Sequence, residues 1–166
     1  EDIPKSYRGC RLIYVCPMDN DVLPEDLDDV AALGQVSAVD MGGYGGVHMS
    51  IANRQATAPL ADLACGVAEH FDIVKASDED AATIFGWDDP DEATKRFLDR
   101  GTHVVVITMG EKGALVATTE NRWEIPPLSG KVADTTGGGD TFMAGFLSEY
   151  LRSADPLKAA QWGCAT

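Results

Sequence analysis

The sequence predicts an α/β fold, a mainly parallel sheet with helices on both of its faces. Three observations predict it. Short apolar runs alternate with helical patterns along the chain, the order that builds strand–helix–strand units. The run 103–108, His-Val-Val-Val-Ile-Thr, is the continuous β-branched type found in strands buried on both faces. A glycine-rich turn at 137–139 then leads straight into another helical pattern. In sheets of this kind, ligands bind beyond the carboxyl ends of the strands.

The elements follow in order. Arg11 to Cys16 is an apolar strand ended by Pro17. Pro24 to Leu33 reads as a helix: Pro24 suits its first turn, Glu25 and Asp26 favour its positive end, and Gly34 closes it. Gln35 to Asp40 is a second strand. The stretch from Met41 to Ala58 is rich in small residues and reads as a long loop. Pro59 to His70 is helical, with Leu60, Leu63 and Val67 at helical spacing, and Phe71 to Ala76 is a third strand. Asp78 to Phe85 and Asp91 to Asp99 read as helices, the first capped by Ser77 or Asp78, the second closed by Gly101. After the strand from His103 to Thr108, the runs Ala114–Thr118 and Arg122–Ile125 flank a hairpin turn. A helix runs from the glycine turn to about Leu151, and Pro156 opens the last one.

With 166 residues the chain has the size of one domain and buries one core. Net charge is −14, from 27 acidic and 13 basic residues, and no basic stripe is left to meet nucleic acid or an anionic membrane. Asp outnumbers Glu and lysines are few, a composition that suits a high-salt cytoplasm as well as ordinary solubility. No apolar run approaches a membrane span and no signal-peptide pattern opens the sequence, so the expected compartment is the cytoplasm. The four cysteines, Cys10, Cys16, Cys65 and Cys164, lack metal-ligand spacing and are expected to be buried free thiols. The histidines and tryptophans show no catalytic or stacking arrangement and are expected to pack.

The chemistry concentrates in Asp134-Thr135-Thr136-Gly137-Gly138-Gly139-Asp140-Thr141-Phe142-Met143-Ala144-Gly145-Phe146-Leu147. Glycines let a backbone approach a ligand closely. A helix N-terminus offers unpaired N–H groups and partial positive charge to an anion. An aspartate at that end is positioned to take a proton from an attacking hydroxyl. Phosphoryl transfer needs these parts, because it depends on positioning and charge stabilisation. The stretch resembles the C-terminal signature of the PfkB-type carbohydrate kinases, the ribokinase-like family. That signature reads Asp-Thr-x-Gly-(Gly/Ala)-Gly-Asp, three free positions, then small-small-apolar-apolar, and every position fits.

The resemblance implies a ribokinase-like fold, ATP as donor, magnesium, and a small sugar or nucleoside-like acceptor. It makes Asp140 the catalytic base and the N–H groups of Gly137, Gly138, Gly139 and Asp140 an anion hole. Thr108-Met109-Gly110-Glu111-Lys112-Gly113 is similar to the family's Thr-x-Gly-x-x-Gly turn, which implies that Thr108, Gly110 and Gly113 face the nucleotide phosphates. At Ser77-Asp78-Glu79-Asp80 the family usually carries Asn-x-x-Glu near magnesium. Ser77 and Asp80 replace those two, with Glu79 as a substitute if the register shifts; the same residues also read as an N-cap and an acidic first turn. Asp134 and Thr136 match positions where some relatives hold a monovalent cation, which implies potassium. Val39 to Gly46 resembles the family's strand-end Asp-x-x-Gly-aromatic segment, and no chemistry is assigned to it.

Family members are commonly about twice this long. Residue 1 is Glu and the sequence stops within a helical pattern, so residues 1–166 are expected to be one partial domain. On that reading it carries the nucleotide and catalytic half, without the substrate and lid portion or the C-terminal end. The expected function is ATP-dependent phosphorylation of a hydroxyl. The alternative is a catalytically incomplete nucleotide-binding fragment or interaction module. An exposed sheet edge in such a piece predicts homo-oligomers. A redox enzyme is disfavoured, since no G-x-G-x-x-G follows the first strand.

Overall fold

The computed structural model describes residues 3–19, 21–57, 59–130 and 134–166. Four strands run parallel: β1 (Cys10–Val15), β2 (Gly34–Asp40), β3 (Ile73–Ser77) and β4 (Val104–Thr108). Two more, β5 (Ala114–Ala117) and β6 (Arg122–Ile125), return antiparallel, and the spatial order is β1-β2-β3-β4-β5-β6. The helices are α1 (Leu27–Ala31), α2 (Ile51–Thr57), α3 (Leu60–Ala68), α4 (Asp78–Phe85), α5 (Pro90–Leu98), α6 (Gly138–Ser153) and α7 (Pro156–Ala165).

Successive side chains on a strand point to opposite faces, and that alternation divides the core in two. Val39, Val74, Ala76, Val105, Ile107 and Leu115 pack with the apolar sides of α1, α3, α4 and α5, including Leu27, Val67, Ile84 and Phe97. Ala38, Ile73, Val104, Val106, Ala114 and Val116 pack with Phe142, Met143 and Phe146 of α6 and with Ala159 and Ala160 of α7. The predicted α/β architecture, a mainly parallel sheet with helices on both faces, is therefore the observed one.

The segment expected to be one long loop is more ordered than its composition suggests. Met41–Gly43 forms a 3₁₀ turn, Met41 to Gly46 are all buried, and α2 follows. Carboxylates supply the reason. Asp40 accepts from the Gly42 N–H at 2.8 Å, Asp80 from Val47 N–H at 2.9 Å, and Asp19 from Ser50 N–H and Asn53 Nδ2 at 2.9 and 2.8 Å. Ala58 lies outside the described residues. The helix expected from Pro24 to Leu33 divides into a 3₁₀ turn, Pro24–Asp26, and α1. The four cysteines are free as expected, but Cys65 alone is buried; Cys16 is exposed.

Two helical glycines make opposite demands. At Gly163 an added Cβ would stand 2.9 Å from both Phe142 Cε2 and the Phe142 carbonyl oxygen, so α6 and α7 touch there through bare backbone. At Gly66 in α3 nothing lies within 4 Å. Gly163→Ala should therefore lose about 1–3 kcal/mol to overpacking, while Gly66→Ala should gain about 0.5–1 kcal/mol from helix propensity. Urea unfolding of the two variants beside the unaltered chain checks both signs.

Candidate active site

The parallel strands deliver their carboxyl ends to one rim. Cys16 follows β1, Asp40 ends β2, Ser77 ends β3 and Thr108 ends β4, with Ser77 and Thr108 adjacent in register. The glycine turn that opens α6 arrives at the same rim: the Cys16 thiol lies 3.7 Å from Asp140 Oδ1, and the Lys75 ammonium lies against Gly139.

The α6 N-terminus has no capping side chain among the described residues. Gly137 takes a left-handed conformation, φ 73°, which glycine adopts without strain. The N–H of Gly138 donates to the Thr135 carbonyl at 3.0 Å, and Thr141 N–H makes the first helical bond, to the Gly137 carbonyl. Between them stand the N–H groups of Gly139 and Asp140, first-turn donors at the positive end of a 16-residue helix. The anion hole expected from four consecutive N–H groups thus narrows, since Gly138 N–H is already engaged. Gly137, Gly138 and Asp140 are exposed, and Gly139 is half-buried. Asp134 Oδ1 accepts from Thr136 N–H at 2.9 Å, which holds its carboxyl below the usual range. Both residues are exposed, and Asp134 tightens the approach to the glycine turn.

Below the glycines is a polar row that the sequence reading did not single out. Tyr14, Asp40 and Lys75 occupy adjacent strands on the α6 side of the sheet, and Asp40 and Lys75 are register partners. Lys75 Nζ donates to Asp40 Oδ2 at 2.8 Å, and the Tyr14 hydroxyl donates to the same oxygen at 3.3 Å. Lys75 is 5% exposed and Asp40 3%. Burial, then the Asp40 charge, pushes the Tyr14 phenol far above its usual range, so it remains a donor. Partial desolvation at the rim, then the Asp40 and Asp140 charges, push the thiol of the otherwise exposed Cys16 up. Lys75 was legible in principle, as a charged residue on the inward phase of an otherwise apolar strand.

Ser77 and Asp80, expected on the resemblance to meet magnesium, satisfy each other instead. Ser77 Oγ accepts from Asp80 N–H at 3.0 Å and Asp80 Oδ2 accepts from Ser77 N–H at 2.8 Å, a reciprocal capping box that starts α4. The other Asp80 oxygen holds Val47 N–H, and Asp80 is 2% exposed. This pair does not fit a metal site as it stands. Among the described residues no group of three or more His, Cys, Asp or Glu side chains is arranged to hold a metal ion. Thr108 ends β4 half-buried, and the turn after it places Gly110 at φ 53° and Gly113 at φ 91°, with Met109 N–H bonded to the Gly113 carbonyl at 2.8 Å. An added Cβ on Gly113 would collide with the Ile125 carbonyl, so that glycine serves the hairpin. Two surface grooves, of about 430 and 490 Å³, include none of Ser77, Asp80, Thr108, Gly110, Gly113 and the glycine turn.

Residues 15–166 match the model of the pfkB family carbohydrate kinases. The chain belongs to this family. It is 40% identical over 94 residues to an ATP-dependent 6-phosphofructokinase of Thermoanaerobacterium thermosaccharolyticum, covering 57% of this chain and 29% of that protein. It is 39% identical over 94 residues to a cytidine kinase of Thermococcus kodakarensis, covering 55% and 34%. Its fold is similar to that of an aminoimidazole riboside kinase from Salmonella enterica, solved with aminoimidazole riboside and an ATP analogue. The TM-score is 0.75 at 22% identity, over 95% of this chain and 55% of that one. The chain therefore spans about half the length of that solved relative. None of its described helices is long and apolar enough to cross a membrane.

A raised thiol leaves little thiolate at neutral pH, and the thiolate is the reacting form. Cys16 should thus be alkylated several-fold more slowly in the folded chain than in the urea-unfolded chain near pH 7.5, with the gap closing as pH rises past about 9. Peptide-resolved mass spectrometry after iodoacetamide treatment reads this. Equal rates at neutral pH would mean that neither desolvation nor the Asp40 and Asp140 carboxylates raise the Cys16 thiol.

Proposed function

We propose that this chain carries the phosphoryl-transfer site of a kinase that moves the terminal phosphoryl group of ATP to a hydroxyl of a small sugar or nucleoside-like substrate. The observation that carries the reading is Asp140 in the first turn of α6, where the Gly139 and Asp140 N–H groups have no partner among the described residues. In this reading the acceptor hydroxyl loses its proton to the Asp140 carboxylate as its oxygen bonds to the terminal phosphorus. The bond from that phosphorus to the bridging oxygen breaks, and ADP leaves with the electron pair. The N–H groups of Gly139 and Asp140, with the backbone of Gly137 and Gly138 around them, receive the charge on the transferring oxygens. Thr108 and Gly110 meet the phosphates of the donor, which enters as its magnesium complex. A potassium ion at Asp134 and Thr136 would add a fixed positive charge beside the same turn.

The acceptor class is supported by the kinases to which the chain is similar, which act on a sugar phosphate and on a nucleoside by their names. A second reading, a nucleotide-binding piece without turnover of its own, is favoured by the openness of the site: Gly137, Gly138 and Asp140 are all exposed.

Two substitutions separate the readings. An added Cβ on Gly138 meets nothing within 4 Å, so Gly138→Val should fold normally while filling the space over the turn. Asp140→Asn keeps the shape and removes the base. With Mg-ATP and a panel of sugars, sugar phosphates and nucleosides, Asp140→Asn should lower kcat by about 10²–10⁴-fold and retain Mg-ATP binding in calorimetry. Gly138→Val should lose the binding. Full activity in Asp140→Asn would refute the base assignment. Saturable Mg-ATP binding without turnover of any acceptor would favour the second reading.

A further inference from the structure

The strand-end row holds a charge that the proposed chemistry has not used. A lysine ammonium has three N–H donors. At Lys75 one of them is taken by Asp40 Oδ2, and among the described residues no second acceptor lies within hydrogen-bond distance. The side chain is 93% buried, so water does not readily satisfy the rest. The ammonium lies against the glycine turn: a Cβ on Gly139 would stand 3.2 Å from Lys75 Nζ and 3.7 Å from Cε. A side chain at Gly139 would therefore press on this lysine, which would have to give by a few tenths of an ångström. Among the described residues, the groups around the ammonium are Asp40, Tyr14 on Asp40, Asp140 and Cys16 at the rim, and His48, whose ring closes over Gly42 beside Asp40.

We propose that Lys75, pinned by Asp40, supplies the positive charge of the anion hole from the sheet side of the Gly137–Asp140 turn, as a positioning residue for the phosphoryl group. The inference rests on the kinase reading for the identity of the anion, and on the geometry for the charge. Two weak sources of positive potential, the first-turn N–H groups of α6 and one ammonium with donors to spare, converge on Gly139. The partner carboxylate keeps the ammonium from swinging into solvent. Asp40 also accepts from the Gly42 N–H, so it cannot follow the lysine away.

A single Lys75→Met change would strand Asp40 as an unpaired buried carboxylate and could unfold the chain. The decisive variant is the double, Lys75→Met with Asp40→Asn, which removes both charges and leaves the Asn oxygen to accept from Gly42. Its melting temperature, read against that of the unaltered chain, confirms that it folds. The first readout does not need turnover. Inorganic phosphate seated on the glycine turn should shield Cys16 from iodoacetamide at mildly alkaline pH. The unaltered chain should show saturable protection, and the folded double variant should need at least about tenfold more phosphate. The second readout is kinetic: with Mg-ATP the double variant should lose about 10²-fold in kcat, with KM for the acceptor changed less than about threefold.

Equal phosphate protection in the two proteins, or none in the unaltered chain, overturns the inference. So does a folded double variant with undiminished kcat, which would make Lys75 merely the counter-ion of Asp40. If no acceptor is ever phosphorylated yet the phosphate protection depends on Lys75, the kinase reading falls with the positioning role, and what stands is Lys75 as the charge of a phosphate site.

Discussion

The ion pair between Asp40 and Lys75 exists because β2 and β3 run parallel in the register that sets those two residues opposite each other. Strand alternation puts both on the α6 side, in line with Ala38 and Ile73, so the polar pair ends an apolar stripe rather than interrupting one. A one-residue slip of β3 would turn Lys75 into the α4 side of the core, leave Asp40 without its partner, and break the stripe beneath Phe142 and Phe146. Removing one partner of such a buried pair costs about 3–5 kcal/mol, so the site's charge and the sheet's register are protected together.

The second carboxylate that organises the rim acts on the backbone. Asp80 starts α4 through Ser77 and reaches across to Val47, tying the strand-end loop to the helix beside it. Gly46 admits this contact, since a Cβ there would collide with Asp80 Oδ1. The requirement is for a short acidic side chain: the hydrogen bonds Asp80 makes to Ser77 and Val47 set its position inward, and a metal would have to compete with both. The aspartate that stands where the family usually carries glutamate is explained by how the loop folds.

This difference shows what was legible in the sequence. The alternation of strands and helices, the caps, and the glycine turn before Asp140 are local patterns, and they were read nearly to their boundaries. The Met41–Gly46 turn was not, because its order comes from Asp40 and Asp80 satisfying N–H groups up to 33 residues away in sequence. Lys75 and Cys16 were missed for the same reason. Neither belongs to the signature, and both acquire meaning only when β1, β3 and the start of α6 meet. Exposed Cys16 reverses the usual expectation for free thiols because the strand end turns it to the rim rather than the core.

Charge scale decides how such a rim works. The chain carries a net −14, so a nucleotide meets a repulsive surface, though beyond about 8 Å physiological salt screens most of that field. Close to the glycine turn the outcome depends on charges that salt and water do not reach. Asp140, Asp134 and Lys112 are exposed and heavily screened. The α6 dipole falls off within its first turn. Lys75 is insulated, and it is the lysine end of the pair, not the Asp40 end, that lies against Gly139. An ion pair aligned in that way presents its positive end to the turn even though its net charge is zero. An acidic protein can thus keep a local site for a phosphate without a basic surface, provided the positive end of a buried pair and a bare helix N-terminus face the same few atoms.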